Sequence, residues 1–92
     1  MPVVENDTDD TVELSVEEGQ GTSGFTKLIA LEKGAETTIE VTNAYFNIFI
    51  YPEGGGGEML TCVRGIHRES RVRIYSPHKG EWALDVQPPK AA

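Results

Sequence analysis

The sequence predicts an all-β fold: an antiparallel β-sandwich of about seven to eight short strands with jelly-roll or immunoglobulin-like connections. Three observations carry it. Apolar and polar residues alternate in run after run, clusters of Gly and Pro fall between the runs, and no segment has helical period. A closed small barrel is the architectural alternative. A chain of 92 residues suits one module with a single modest core.

Met1 to Thr11 lacks periodicity and reads as a flexible acidic arm, residues 1–11, ahead of one domain, 12–88, and a short tail, 89–92. Val12, Leu14 and Val16 alternate with Glu13, Ser15 and Glu17, which places the apolar set on one face of a strand. The Gly-rich run from Gly19 to Gly24 ends that strand in a turn, and a second strand is expected from Phe25 to Leu31. After the turn Glu32-Lys33-Gly34-Ala35, residues Thr37 to Thr42 point Ile39 and Val41 inward, and their β-branched side chains agree with a strand.

Ala44 to Tyr51 carries Phe46, Ile48 and Ile50 on one face and Phe49 and Tyr51 on the other. A strand apolar on both sides is either central in its sheet or half of an interface. Gly54 to Gly57 form a loop, because four successive glycines lose too much backbone entropy inside a strand. Glu58 to Val63 reads as the next strand and Arg64 to Glu69 as a connection. From Ser70 to Trp82 the chain reads as two strands around a tight turn, with Val72 and Ile74 inward on the first and Trp82, Leu84 and Val86 inward on the second, before Pro88 and Pro89 end it. The expected core is Val12, Leu14, Val16, Ile39, Val41, Ile48, Ile50, Val72, Ile74, Trp82 and Leu84.

The net charge of -7 is placed unevenly. Glu5, Asp7, Asp9, Asp10, Glu13, Glu17 and Glu18 all precede the first basic residue, Lys27, and the eight later acids balance eight Lys and Arg. The first eighteen residues therefore hold the whole excess, four of the seven carboxylates in the arm itself, as a solvated tail, a ligand for a basic partner surface or a nucleic-acid mimic. With a polar start and no apolar run of membrane-spanning length, the expected location is the cytoplasm, or a virion if the chain is a structural component.

Candidate chemistry is sparse. Cys62, His67 and His78 are irregularly spaced, whereas a closed zinc site needs four ligands in short pairs, so no metal or other cofactor is expected. Cys62 reads as a small core-facing side chain. Gly54 to Gly57 is followed by neither a Lys-Ser/Thr pair nor a helix, so it is not a phosphate loop. The one cluster of functional character is Arg64, Arg68, Arg71, Arg73 and Lys79 with Tyr75, since Arg71, Arg73 and Tyr75 must share one strand face. Guanidinium groups in a row beside an aromatic ring can grip an anion. Two other readings stand beside it: a solvated face paired with Glu69, Glu81 and Asp85, or a face covered by the acidic arm of the same chain or a neighbour. Phe49 and Tyr51 form the alternative contact surface.

The run Ser70, Val72, Arg73, Ile74, Pro77, Gly80, Trp82, Leu84 and Val86, preceded by Leu31, Gly34, Val41 and Asn47 before Ile48, resembles a bacterial family known as domain of unknown function 1883. The resemblance covers about Phe25 to Val86. The middle is shorter than in that family, its paired glycines are reduced to Gly65, and the acidic arm has no counterpart. It implies a β-sandwich found alone or beside bacterial Toll/interleukin-receptor domains, with a recognition role linked to defence and no catalytic residues. The expectation from sequence is thus a non-enzymatic recognition module that binds a protein partner, a second copy of itself or a small anionic ligand, and neither nucleic acid nor membrane. The alternative is a structural assembly component, such as a phage capsid decoration protein whose arm is ordered by its neighbours.

Overall fold

In the computed structural model, residues 1–18, 26–54 and 57–89 are described. The expected Gly19–Gly24 turn, the start of the second strand at Phe25 and part of the Gly54–Gly57 loop lie outside them. Eight strands follow in order: β1 Val3–Asp7, β2 Val12–Glu18, β3 Thr26–Leu31, β4 Glu36–Thr38, β5 Tyr45–Pro52, β6 Thr61–His67, β7 Arg71–Tyr75 and β8 Ala83–Gln87. They form two four-stranded sheets, sheet A in the order β4-β1-β7-β8 and sheet B in the order β3-β2-β5-β6. The described residues include no helix, and the architecture is sandwich-like.

The core between the sheets follows strand parity. Val12, Leu14 and Val16 of β2 meet Ile48 and Ile50 of β5, with Phe46 and Ile66 beside them. Val72 and Ile74 of β7 close it from sheet A, together with Ile39, and each of these side chains is at most 4 % exposed. β5 lies between β2 and β6, which explains its two apolar faces: one packs in the core while the other half-covers the outside of sheet B.

Four expectations are corrected. First, the arm is not a tail, because Val3–Asp7 is an interior strand of sheet A, antiparallel to β4 and parallel to β7. Val4 and Asn6 are fully buried, and Pro2 accepts a hydrogen bond from Ile39 N–H at 2.9 Å. The parallel β1–β7 pair also makes sheet A mixed where purely antiparallel pairing was expected. Second, β6 runs to His67, so Arg64–His67 is strand and not connection. Third, Cys62 is paired with Phe49 on the outer face of sheet B, not in the core, because residues directly opposite across a ladder share a face. Fourth, Trp82 precedes β8 and is only half-buried against the core, as are Val41 and Leu84.

Trp82→Ala is therefore expected to cost about 1 to 2 kcal/mol in chemical denaturation, below the about 3 to 5 of a fully buried aromatic. A loss in the higher range would mean that the indole is a core member after all.

A glycine decides the end of β6. Between Phe46 and Ile48 the β5–β6 register shifts, and Gly65 sits in the shift at φ 72° with its N–H donated to Asn47 Oδ1 at 2.9 Å. That positive φ is costly for any other residue, and the extra residue turns Ile66 inward where simple alternation from Val63 would have turned Gly65.

Candidate functional site

The outer face of sheet A brings together part of the basic cluster. The parallel register sets Val3 beside Arg71, Glu5 beside Arg73 and Asp7 beside Tyr75. Arg71 Nη2 lies 3.1 Å from Glu36 Oε2 and 3.5 Å from Glu5 Oε2. Arg73 donates from Nε to Asp7 Oδ2 at 2.8 Å and from Nη2 to the same oxygen, while its guanidinium stands 5.0 Å above the Tyr75 ring. The hydrogen bond to Asp7 holds the Arg73 pKa above its ordinary value. Asp85 is the cross-strand neighbour of Arg73. Two guanidinium groups thus face the four carboxylates of Glu5, Asp7, Glu36 and Asp85, so this face carries no positive potential for an anion. The acidic arm covers the basic residues of its own chain, the third of the three readings, and of the expected partners Glu69, Glu81 and Asp85 only Asp85 adjoins the pair.

Reversing both Arg71 and Arg73 to Glu is expected to lower the melting temperature through like-charge repulsion among six carboxylates, and the deficit should shrink at high salt, which screens exposed charges. A variant as stable as the parent at low salt would mean that these ion pairs contribute nothing.

The rest of the cluster is dispersed. Arg64 is on the outer face of the other sheet, its guanidinium 5.5 Å from the Phe49 ring centroid. Arg68 lies in the β6–β7 turn next to Glu69, 3.9 Å away, and Lys79 is exposed in the β7–β8 turn. Alternation along one strand could pair Arg71 with Arg73, but it carries no information about residues on other elements.

The outer face of sheet B holds the Phe49 and Tyr51 contact surface. Register places Glu13, Ser15 and Glu17 of β2 opposite Tyr51, Phe49 and Asn47 of β5 on one side and Ala30, Leu28 and Thr26 of β3 on the other. Leu28 is 59 % exposed, while Ser15 is buried at the centre of the face. Glu13 Oε2 is buried without a hydrogen-bond partner among the described residues. At the far end of β2, the Glu18 carboxylate accepts hydrogen bonds from the N–H groups of Asn43 at 2.8 Å and Thr42 at 2.7 Å. These bonds, that of Asn43 foremost, lower its pKa below the ordinary 4.5 and tie sheet B to the loop ahead of β5.

One end of the sandwich has concave features that sequence reasoning did not find. Thr8, Asp9 and Asp10, between β1 and β2, face the Ser76–Gly80 turn and Trp82 across a cleft of about 510 Å³. A second cleft of about 280 Å³ lies between Asp10, Thr11, Pro52, Glu53, Leu60 and Trp82. Trp82 and Asp10 border both. Only their loops connect these positions, so no period in the sequence signals them. Among the described residues, no group of three His, Cys, Asp or Glu is placed to hold a metal ion, and no helix is long and apolar enough to cross a membrane. Comparison with family models, with curated proteins and with solved structures gives no match to this chain.

Proposed function

We propose that the chain is a non-enzymatic recognition module that works as a pair of copies joined through the outer face of sheet B. The observation that carries this is the exposed Leu28 beside half-buried Phe49 and Tyr51, with Arg64 against Phe49. Aromatic residues and Arg are the types enriched in interfaces. Charge selects the second copy as the occupant. β5 is flanked by β2 with Glu17 on one side and by β6 with Arg64 on the other, and both charges lie near the level of Asn47. A two-fold axis along β5 sets Arg64 of each copy over Glu17 of the other, the self-complementarity that an isologous dimer requires.

Sedimentation equilibrium tests it. The parent should be dimeric, Arg64→Glu should be monomeric, and Arg64→Glu combined with Glu17→Arg should restore the dimer. A monomeric parent, or a dimer indifferent to Arg64→Glu, overturns the reading.

The sheet A face gives a small anionic ligand no support, since its arginines are already paired. The capsid-decoration reading relied on an arm ordered by neighbours, and β1 is paired on both sides within its own chain. A jelly-roll or immunoglobulin-like connection scheme belongs to the same proposal, supported by the antiparallel neighbours β2–β3, β5–β6 and β7–β8. So does a place in bacterial defence, which rests on the resemblance of the Ser70 to Trp82 run.

A further inference from the structure

We infer that the smaller end cleft, between Asp10, Glu53 and Trp82, binds an organic cation, an ammonium or guanidinium group. Its walls are the apolar surfaces of Pro52, Leu60 and the Trp82 indole, and its two ionisable groups are both carboxylates. A cation over an indole face is attracted by the ring quadrupole, and Trp is the strongest of the aromatic partners. Neither Asp10 nor Glu53 is engaged in an ion pair among the described residues, in contrast to Glu5, Asp7 and Glu36 on sheet A. At about 280 Å³ the cleft is smaller than the sites of drug-sized ligands and suits one side chain or a small amine. The net charge of -7 favours the approach of cations.

The cleft is also held in shape before any ligand arrives. Asn6 Nδ2 donates to Asp10 O at 2.9 Å and Asp10 N–H donates to Thr8 Oγ1 at 3.3 Å, so the backbone of Asp10 is fixed while its carboxylate remains exposed. On the other side, Ser76 Oγ lies 2.8 Å from His78 O and 2.7 Å from Glu81 O and offers its one hydrogen to either, holding the turn that leads into Trp82. A rigid cleft saves the ordering cost that weakens binding by mobile loops. Lys79 and His78 border the wider neighbouring cleft, not this one.

Trp82 is the single tryptophan of the chain, so its fluorescence and its indole N–H resonance report on the two clefts it borders, and Glu53, which lines only the smaller one, tells them apart. Titration at fixed ionic strength with tetramethylammonium, with N-acetyl-arginine amide and with a short Arg-containing peptide should give a saturable change in both signals. A change with the peptide alone makes a protein segment the source of the cation, and a change with tetramethylammonium alone makes it a small molecule. The double variant Asp10→Asn/Glu53→Gln should bind about tenfold or more weakly, as expected for the loss of charged partners, and should keep the parent's melting temperature because both carboxylates are exposed. Arg64→Glu should bind as the parent does, which separates this site from the dimer face. Absence of a saturable change with all three probes, or undiminished binding by the double variant, overturns the inference.

Discussion

Deleting Met1–Asp10 is expected to abolish cooperative unfolding. β1 is paired with β4 through Val3 to Glu5 and with β7 along its full length from Val3 to Asp7. Without it, β4 has no partner strand and β7 is left with β8 alone. The deletion also removes Val4 from the core and Asn6 from the junction between the sheets, both at 0 % exposure. Small domains have only about 5 to 15 kcal/mol of net stability, and the loss of an interior strand exceeds what such a margin absorbs. Calorimetry and near-ultraviolet circular dichroism check this: a truncated chain that still melts in one sharp transition near the parent's midpoint would show that β1 is an accessory strand.

Asn6→Asp is expected to destabilise the fold by about 3 to 5 kcal/mol, the range for a buried charge that has lost its partners. The Asn6 amide donates to Leu31 O at 2.9 Å and to Asp10 O at 2.9 Å, and its carbonyl oxygen accepts from Thr8 N–H at 3.1 Å and Thr8 Oγ1 at 2.6 Å. Its backbone adds Asn6 N–H to Ala35 O at 2.9 Å and Gly34 N–H to Asn6 O at 2.8 Å. One side chain therefore ties β1 to the end of β3 and to the approach to β2. An ionised carboxylate at this position has no hydrogen to donate and faces two carbonyl oxygens. Burial and those two oxygens outweigh the Thr8 donors that the carboxylate keeps and raise the folded-state pKa of the new Asp above its unfolded value, so the folded variant holds the proton more tightly. Its stability relative to the parent must then rise as pH falls through the folded-state pKa. Urea midpoints of parent and variant across the acid range test this: a deficit that is small, or that does not narrow toward acid pH, would mean that the side chain is replaceable by water.

The strands most legible in the sequence, β2 and β7, have apolar residues at every second position. Val12, Leu14 and Val16, and likewise Val72 and Ile74, alternate with polar residues, and the register places each set in the core. β1 escaped because its inward positions are Val4 and Asn6, and a buried Asn breaks the period of two as seen by hydropathy. Its outward carboxylates read as a charged tail because the arginines they meet lie far along the chain, Asp7 being 66 positions from Arg73. The end of β6 was hidden by the shift at Gly65, which reverses parity without any change in composition. The end cleft was illegible for a different reason: Asp10, Glu53 and Trp82 sit on three separate connections, and only the closed sandwich brings them into one wall.

The parallel pairing of β1 with β7 also sets the order in which the chain can assemble as it is synthesised. β1 is made before the other seven strands, but its neighbour across sheet A begins only at Arg71, whereas every strand of sheet B has been made by His67. A nascent chain that has reached the β6–β7 turn can complete the hairpins of sheet B while β1 has only the short β4 to lie against. Closing the loop from Val3 to Arg71 is the long-range step on which sheet A waits, and loop-closure entropy must be met there before any ladder bond forms. The earliest-made of these eight strands is thus among the last to find its place.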